Sequence, residues 1–233
     1  MKTLTKLFFI VLFAIATVSQ SKAQSEVLGA WKSTAGGTTS LLLVTPGYFS
    51  IAVYDNSGFK STQGGTWYSS DNGGMLNIEF NSADPSKVGK QFASTAEFNE
   101  DQLTTTFDGN TTTWNRVDNG NSQMTGVWQI TGREANGKMT EMKPGDRKTI
   151  KILTGTKFQW IAMNTKTGEF FGTGGGTYTF ENGVYTENIE FFSRDNSRVG
   201  ASLSFKGSLN GNTWDHSGKS SKGDPIHEEW TRK

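Results

Sequence analysis

The chain has 233 residues, with 12% aromatic side chains, 28 glycines, 4 prolines and no cysteine. That aromatic bulk argues against disorder, and the scarcity of proline argues against a collagen-like or proline-rich rod. The missing cysteines exclude disulfides, thiolate metal sites, a cysteine nucleophile and a lipidated N-terminal cysteine. Removing Lys2, Lys6 and Lys22 of an N-terminal leader from the 23 basic residues leaves 20 against 22 acidic ones, a net charge of −2, without the basic excess that nucleic-acid binding draws on.

Residues 1–23 read as a secretory signal peptide. Lys2 and Lys6 give a positive start, residues 7–18 are a nearly unbroken apolar run, and Ser21 and Ala23 are small residues before a cleavage point. Those 12 residues would span about 18 Å as a helix, short of a hydrocarbon core of about 30 Å. The expectation is an exported protein, periplasmic or secreted, with no integral membrane segment after cleavage. A cysteine-free exported chain fits a Gram-negative periplasm or surface.

The rest of the chain repeats itself. The segment GGTWYSSDNGGMLNIEF from Gly64 aligns with GGTYTFENGVYTENIEF from Gly175 at a gap-free offset of 111 (175 − 64). Gly65 falls on Gly176, Trp67 on Tyr178, and Val88-Gly89 on Val199-Gly200. Each half opens with G-x-W, at Gly29 and Trp31 and at Gly126 and Trp128. Each closes with W-x-R, at Trp114 and Arg116 and at Trp230 and Arg232. The polar stretch DNGNSQ at 118–123 marks the joint. The organisation expected is therefore a first unit at 24–118, a linker at 119–123 and a second unit at 124–233.

Inside each half the apolar period is two. Leu76, Ile78 and Phe80 alternate with Asn77 and Glu79, and Ala201, Leu203 and Phe205 with Ser202 and Ser204. Turn signals such as Asp71-Asn72-Gly73-Gly74, Asp108-Gly109, Asn182-Gly183 and Asn210-Gly211 punctuate the strands. Beyond the leader no helical stripe of ten or more residues is visible. The pattern predicts an all-β protein with about eight antiparallel meander strands per half, closed into a barrel or folded into a sandwich to hide the edges. The glycine-rich run at 172–176 lacks the Lys-Ser/Thr and the helix of a phosphate loop, and predicts a bend or bulge instead.

The paired G-x-W and W-x-R residues resemble those of the calycin superfamily, the lipocalins and fatty-acid-binding proteins. The resemblance implies two tandem antiparallel lipocalin-like β-barrels. In each, the first-strand tryptophan would lie under a basic residue of the last strand: Trp31 under Arg116, and Trp128 under Arg232. Through GGGTYTFENGVYTENIEFFSRDNSRVGASLSF and HSGKSSKGDPIHEEWTRK, the second half is similar to lipocalin-like domains of uncharacterised exported proteins of the Bacteroidetes type. The resemblance covers nearly all of 124–233 and, more weakly, 25–118. Each half, at about 95–110 residues, is shorter than a typical lipocalin, so a barrel filled by its own side chains is one outcome.

Candidate chemistry concentrates in the second half. Glu187 and Glu190 are three apart and point to opposite faces of a strand; Glu79 and Glu190 read as solvent-facing strand carboxylates. His216 and His227 lack zinc-site spacing and read as surface or loop residues. Ser220, His216 and Asp224 lack the G-x-S-x-G of a nucleophile elbow. The stretch 216–227, with Lys219 and Lys222, reads as a long loop, and 193–198, with Arg194 and Arg198, as a charged turn. Candidate ligand contacts are Trp160, Tyr178, Tyr185, Glu187, Glu190, Arg198, His216 and Lys222. The function expected first is an exported binding protein for a small, partly apolar ligand. The alternatives are a glycan-related binding module or small-sugar enzyme using Glu187, Glu190 and His216, and a structural or interaction protein with filled barrels. No cofactor, metal or nucleic-acid partner is implied; the candidate partner is a small lipophilic or carbohydrate ligand, and oligomeric state is left open.

Overall fold

The computed structural model of the chain describes residues 26–70, 73–99, 101–220 and 222–233. The leader at 1–23 lies outside these, as do Asp71, Asn72 and Ser221 of the turn and loop noted above.

The first half is a meander of β1 (Gly29–Ala35), β2 (Thr38–Thr45), β3 (Tyr48–Asp55), β4 (Gly58–Ser70), β5 (Gly73–Asn81), β6 (Gln91–Asn99), β7 (Gln102–Phe107) and β8 (Asn110–Asp118). It closes when β8 returns to pair with β1. The second half runs β9 (Gly126–Ala135), β10 (Lys138–Glu141), β11 (Arg147–Leu153), β12 (Lys157–Asn164), β13 (Phe170–Glu181), β14 (Val184–Phe192), β15 (Ser202–Asn210), β16 (Thr213–Lys219) and β17 (Pro225–Arg232). Here β17 returns to β9, and β10 is a hairpin extension outside the ring. The protein is all-β: two closed eight-stranded antiparallel barrels in tandem.

Local chemistry explains the corners. Gly36-Gly37, Asp108-Gly109, Asn136-Gly137 and Asn182-Gly183 all have positive φ at both residues, the backbone of the two-residue turns that match strand twist. The register shifts between Gly64 and Gly65 and between Gly175 and Gly176. A Cβ on Gly65 would lie 1.9 Å from Asn77 O, and one on Gly176 would lie 1.9 Å from Asn188 O. Only glycine lets the paired backbones approach so closely at this bulge. The stretch 216–227 is not one long loop: β16 and β17 extend through most of it, and only residues 220–224 connect them. Alternating inward and outward residues continue the hairpin where the Lys, Ser and Gly content suggested loop.

Three cores hold the molecule. One lies inside barrel 1, around Trp31, Leu42, Phe49 and Leu103. Another lies inside barrel 2, around Trp128, Phe158, Tyr185 and Trp214. The third lies between the barrels, where Leu41, Leu43 and Phe80 meet Ile150, Ile152 and Phe191. This explains the run LLLV in β2, since strands buried on both faces need not alternate with polar residues; in IKIL of β11 even the inward Lys151 is buried. Across the same interface Tyr54 stacks on Phe191 with ring centroids 4.9 Å apart, and buried Gln159 Nε2 donates to Thr62 Oγ1 at 2.8 Å.

The interface also corrects the expectation for Glu79 and Glu190. Glu79 accepts from Tyr48 Oη at 2.8 Å and lies 3.6 Å from Lys148 of the other barrel. Glu190 accepts from Tyr54 Oη of the other barrel at 2.9 Å and pairs with Lys157. Both point away from their own barrel, but that outer face is partly covered by its neighbour, which leaves Glu79 25% and Glu190 32% exposed. The joint between the barrels is likewise tied down. Asp118 accepts from the backbone N–H groups of Gly120 (2.8 Å) and Gly155 (2.9 Å) and from the Thr154 hydroxyl (2.8 Å). Burial pushes its pKa up, but these donors outweigh that and hold it below the ordinary value.

Candidate functional site: two unlike barrel interiors

Each barrel is clasped at the end where its first and last strands meet. Trp31 Nε1 donates to Val27 O at 2.9 Å, and the Arg116 guanidinium carbon lies 3.9 Å from the Trp31 ring centroid. Arg116 also donates from Nη2 to Glu26 O at 2.9 Å. In barrel 2, Trp128 Nε1 donates to Met124 O at 2.8 Å and Arg232 lies 4.4 Å from the Trp128 ring. Arg232 donates to the carbonyls of Thr125 (2.7 Å) and Gln123 (2.6 Å). A guanidinium over an indole contributes about 0.5–2 kcal/mol; here it also ties down the segment before the first strand.

Strand register permits a residue-by-residue comparison of the lumens. Leu42 pairs with Trp31 as Lys151 pairs with Trp128. Gly74 pairs with Ser94 as Tyr185 pairs with Phe205. Leu76 pairs with Phe92 as Glu187 pairs with Leu203. Thr105 pairs with Thr112 as His216 pairs with Glu228. Where barrel 2 has large or charged side chains, barrel 1 has small or neutral ones.

In barrel 2 these residues make a dense network. Lys151 Nζ is 2.7 Å from Glu187 Oε1, with both side chains under a tenth exposed. The ammonium lies 5.1 Å from each ring centroid of Tyr185, Trp214 and Trp230, and 5.7 Å from that of Phe205. Glu228 accepts from Arg133 Nη2 at 2.6 Å and from Trp230 Nε1 at 3.2 Å. His216 packs on Phe205 with centroids 4.2 Å apart. Its Nδ1 is 3.7 Å from Glu228 Oε2, too long for a hydrogen bond. Burial, then the Lys151 charge, push the His216 pKa down and favour the neutral ring. Burial would push the Glu228 carboxyl up; His216, Lys151 and Arg133 override it and hold the pKa at about 2.

Barrel 1, by contrast, is hollow at the matching positions. A cavity of about 240 Å3 touches Leu42, Gly74, Leu76, Ser94 and Thr105, and its wall also includes Phe49, Trp67 and Phe98. Among the described residues no charged side chain lines it. Val27, held by the Trp31 indole, forms part of the wall, so the clasp bounds the cavity. A second cavity of about 300 Å3, with a more polar lining, adjoins it in the same barrel; Ile51, Thr105 and Phe107 line both.

The candidate residues named from the sequence are not gathered at one place. Tyr185, Glu187 and His216 meet inside barrel 2. His216, expected at a surface or loop, is 1% exposed on β16; its even spacing from Trp214 puts it on the inner face. Tyr178 is also inside, its Oη donating to Thr154 O at 2.7 Å and meeting Ser122 Oγ at 2.9 Å. Trp160 is half-buried, edge-on to Phe192 at 5.5 Å. Glu190 faces barrel 1, Arg198 pairs with Asp195 at the surface, and Lys222 is exposed. Glu187 and Glu190 lie on opposite faces of β14, so no single bond lies between their carboxylates. His227 is bracketed by Glu134 and Asp215 on the surface. Sequence reasoning missed Lys151, Glu228 and the hollow of barrel 1. The signal was present in the 111-residue offset (185 − 74), which sets Gly74 against Tyr185 and Ser94 against Phe205.

Among the described residues no group of three or more His, Asp or Glu could hold a metal ion, and no helix is long and apolar enough to cross a membrane. Residues 123–233 match a family described as "Domain of unknown function (DUF4488)". The match covers the second barrel. A comparison with curated proteins gave no match.

Proposed function

We propose that the protein is a non-enzymatic, lipocalin-like binding protein whose first barrel takes a small, mostly apolar ligand. The observation that carries this reading is the mostly apolar cavity of about 240 Å3, with no charged side chain among its described lining residues. It exceeds the roughly 150 Å3 at which an apolar cavity admits benzene, and has room for one or two rings or a short chain. Leaving it without a ligand is unfavourable, because its apolar wall then faces water at a cost of about 25 cal/mol per Å2 of surface that a ligand would cover. Barrel 2 avoids that cost with Tyr185 and Phe205 on the same strand pairing. A duplicate that keeps Gly74 and Ser94 instead supports a role for the space. The leader supports export to the periplasm or beyond.

Uptake of N-phenyl-1-naphthylamine, followed by its fluorescence, tests the reading. Saturable binding is expected, lost in Ser94→Phe, which installs the barrel 2 residue, and unchanged in Lys222→Ala. A protein that takes up no apolar probe, and carries nothing by native mass spectrometry after isolation from its own host, overturns the proposal.

A further inference from the structure

The lumen of barrel 1 is amphipathic along its axis. Apolar residues make most of the wall of the first chamber, which also includes Ser69, Ser70 and Ser94, and the second is mixed, with Val53 and Trp114 beside its polar residues. On β2, Leu42 and Val44 face the first while Ser40 faces the second; on β4, Trp67 faces the first while Ser61 and Gln63 face the second. The shared Ile51, Thr105 and Phe107 form the waist. In the second chamber several polar groups have no partner among the described residues. Gln63 Oε1 accepts from Asn81 Nδ2 at 3.1 Å, which leaves the Gln63 amide protons to donate. The hydroxyls of Ser40, Ser61 and Thr112 likewise have no protein hydrogen bond there. At the waist, Thr105 Oγ1 accepts from Trp114 Nε1 at 2.9 Å and keeps its own proton.

The charges at the polar chamber are Asp84, Lys87 and Asp108. Lys87 is paired with Asp108, and Asp84 accepts from the Ser86 hydroxyl at 2.6 Å. One negative charge is left over, with no free cation among the described lining residues to receive an anionic head. An anion would lose hydration without gaining a partner, which is strongly unfavourable. A hydroxyl or amide head would replace its water with Gln63, Ser61 and Thr112.

We infer that barrel 1 binds a neutral amphiphile end-on, with the hydrocarbon or aromatic body in the apolar chamber and an uncharged, hydroxylated head in the polar one. This rests on the reading that barrel 1 is the ligand-bearing barrel, and adds the ligand class. Displacement of bound N-phenyl-1-naphthylamine by three molecules with the same chain tests it: 1-monodecanoylglycerol, ionised decanoate and decyltrimethylammonium, all below micelle formation. The glycerol ester is expected to displace the probe at about tenfold lower concentration than either ion. Gln63→Leu and Thr112→Val are each expected to shrink that preference, measured relative to the variant's own probe affinity, by about threefold or more. Equal displacement by all three, a preference for either ion, or a preference that survives both substitutions overturns the inference while the carrier reading stands. Failure of the unaltered protein to take up the probe overturns both.

Discussion

The Lys151–Glu187 pair permits a quantitative test of the register that relates the two barrels. Both side chains are buried, and the matching residues of barrel 1 are Leu42 and Leu76. Lys151→Leu leaves the Glu187 carboxylate buried without its cation, so a loss of about 3–5 kcal/mol is expected. Glu187→Leu leaves the ammonium 5.1 Å from three aromatic centroids. Each such face attracts a cation by about 0.5–2 kcal/mol, so the loss falls to about 1–3 kcal/mol. The double variant Lys151→Leu/Glu187→Leu removes both charges and installs the barrel 1 residues. It is expected within about 1 kcal/mol of the parent, because replacing a buried pair by apolar residues is often neutral or stabilising. Urea denaturation followed by tryptophan fluorescence and by far-UV circular dichroism gives the three free energies. A cycle in which the two single losses simply add, or in which Glu187→Leu is the costlier, refutes the argument.

Acid stability depends on Glu228, held at about 2 against an ordinary 4.5. A lowered carboxylate pKa contributes stability above pH 4.5 that is lost as pH falls through 2, on the order of 3 kcal/mol; Glu228→Gln should flatten the unfolding free energy across that window. His227 titrates in the opposite sense. Hydrogen bonds to Asp215 and Glu134 raise its pKa above 6.5, so its contribution is complete below that value and disappears as pH rises through the raised one. The site is solvent-screened, so a small decline in denaturation midpoint is expected, weaker at high salt and absent in His227→Gln. Gly176→Ala would put a methyl 1.9 Å from Asn188 O. A loss of about 3 kcal/mol or more is expected in melting experiments, with Gly65→Ala behaving alike.

The fold was legible because strands with one buried face announce themselves at period two. Leu76 and Ile78 alternate with Asn77 and Glu79 before Phe80 passes to the core between the barrels, and Asp108-Gly109 and Asn182-Gly183 carry the backbone demands of tight hairpins. The interface between barrels was harder to see. Glu79 and Glu190 look like ordinary outward carboxylates until a second barrel partly covers that face, and only the unbroken LLLV run hinted at burial on both sides. The interior of barrel 2 hid for a different reason. Lys151, Glu187, His216 and Glu228 sit at inward positions, but polar types at inward positions read as surface unless their partners are known. Those partners come from four strands, β11, β14, β16 and β17, and no local spacing joins them.

The three-core arrangement explains how two copies of one meander acquired such different interiors. Along β2 and β11 the outward residues Leu41, Leu43, Ile150 and Ile152 join the barrels, while the inward Leu42 and Lys151 face separate lumens. The layer between is fully packed, with Leu43 and Ile152 both 0% exposed. A change in one lumen therefore has no route into the other except through strands fixed on their outer faces. Burial of each such leucine or isoleucine contributes about 1.5–3 kcal/mol, so a handful offsets the apolar wall that barrel 1 leaves uncovered. The shared core and the filled second barrel thus form the support against which a hollow, ligand-sized first barrel holds its shape.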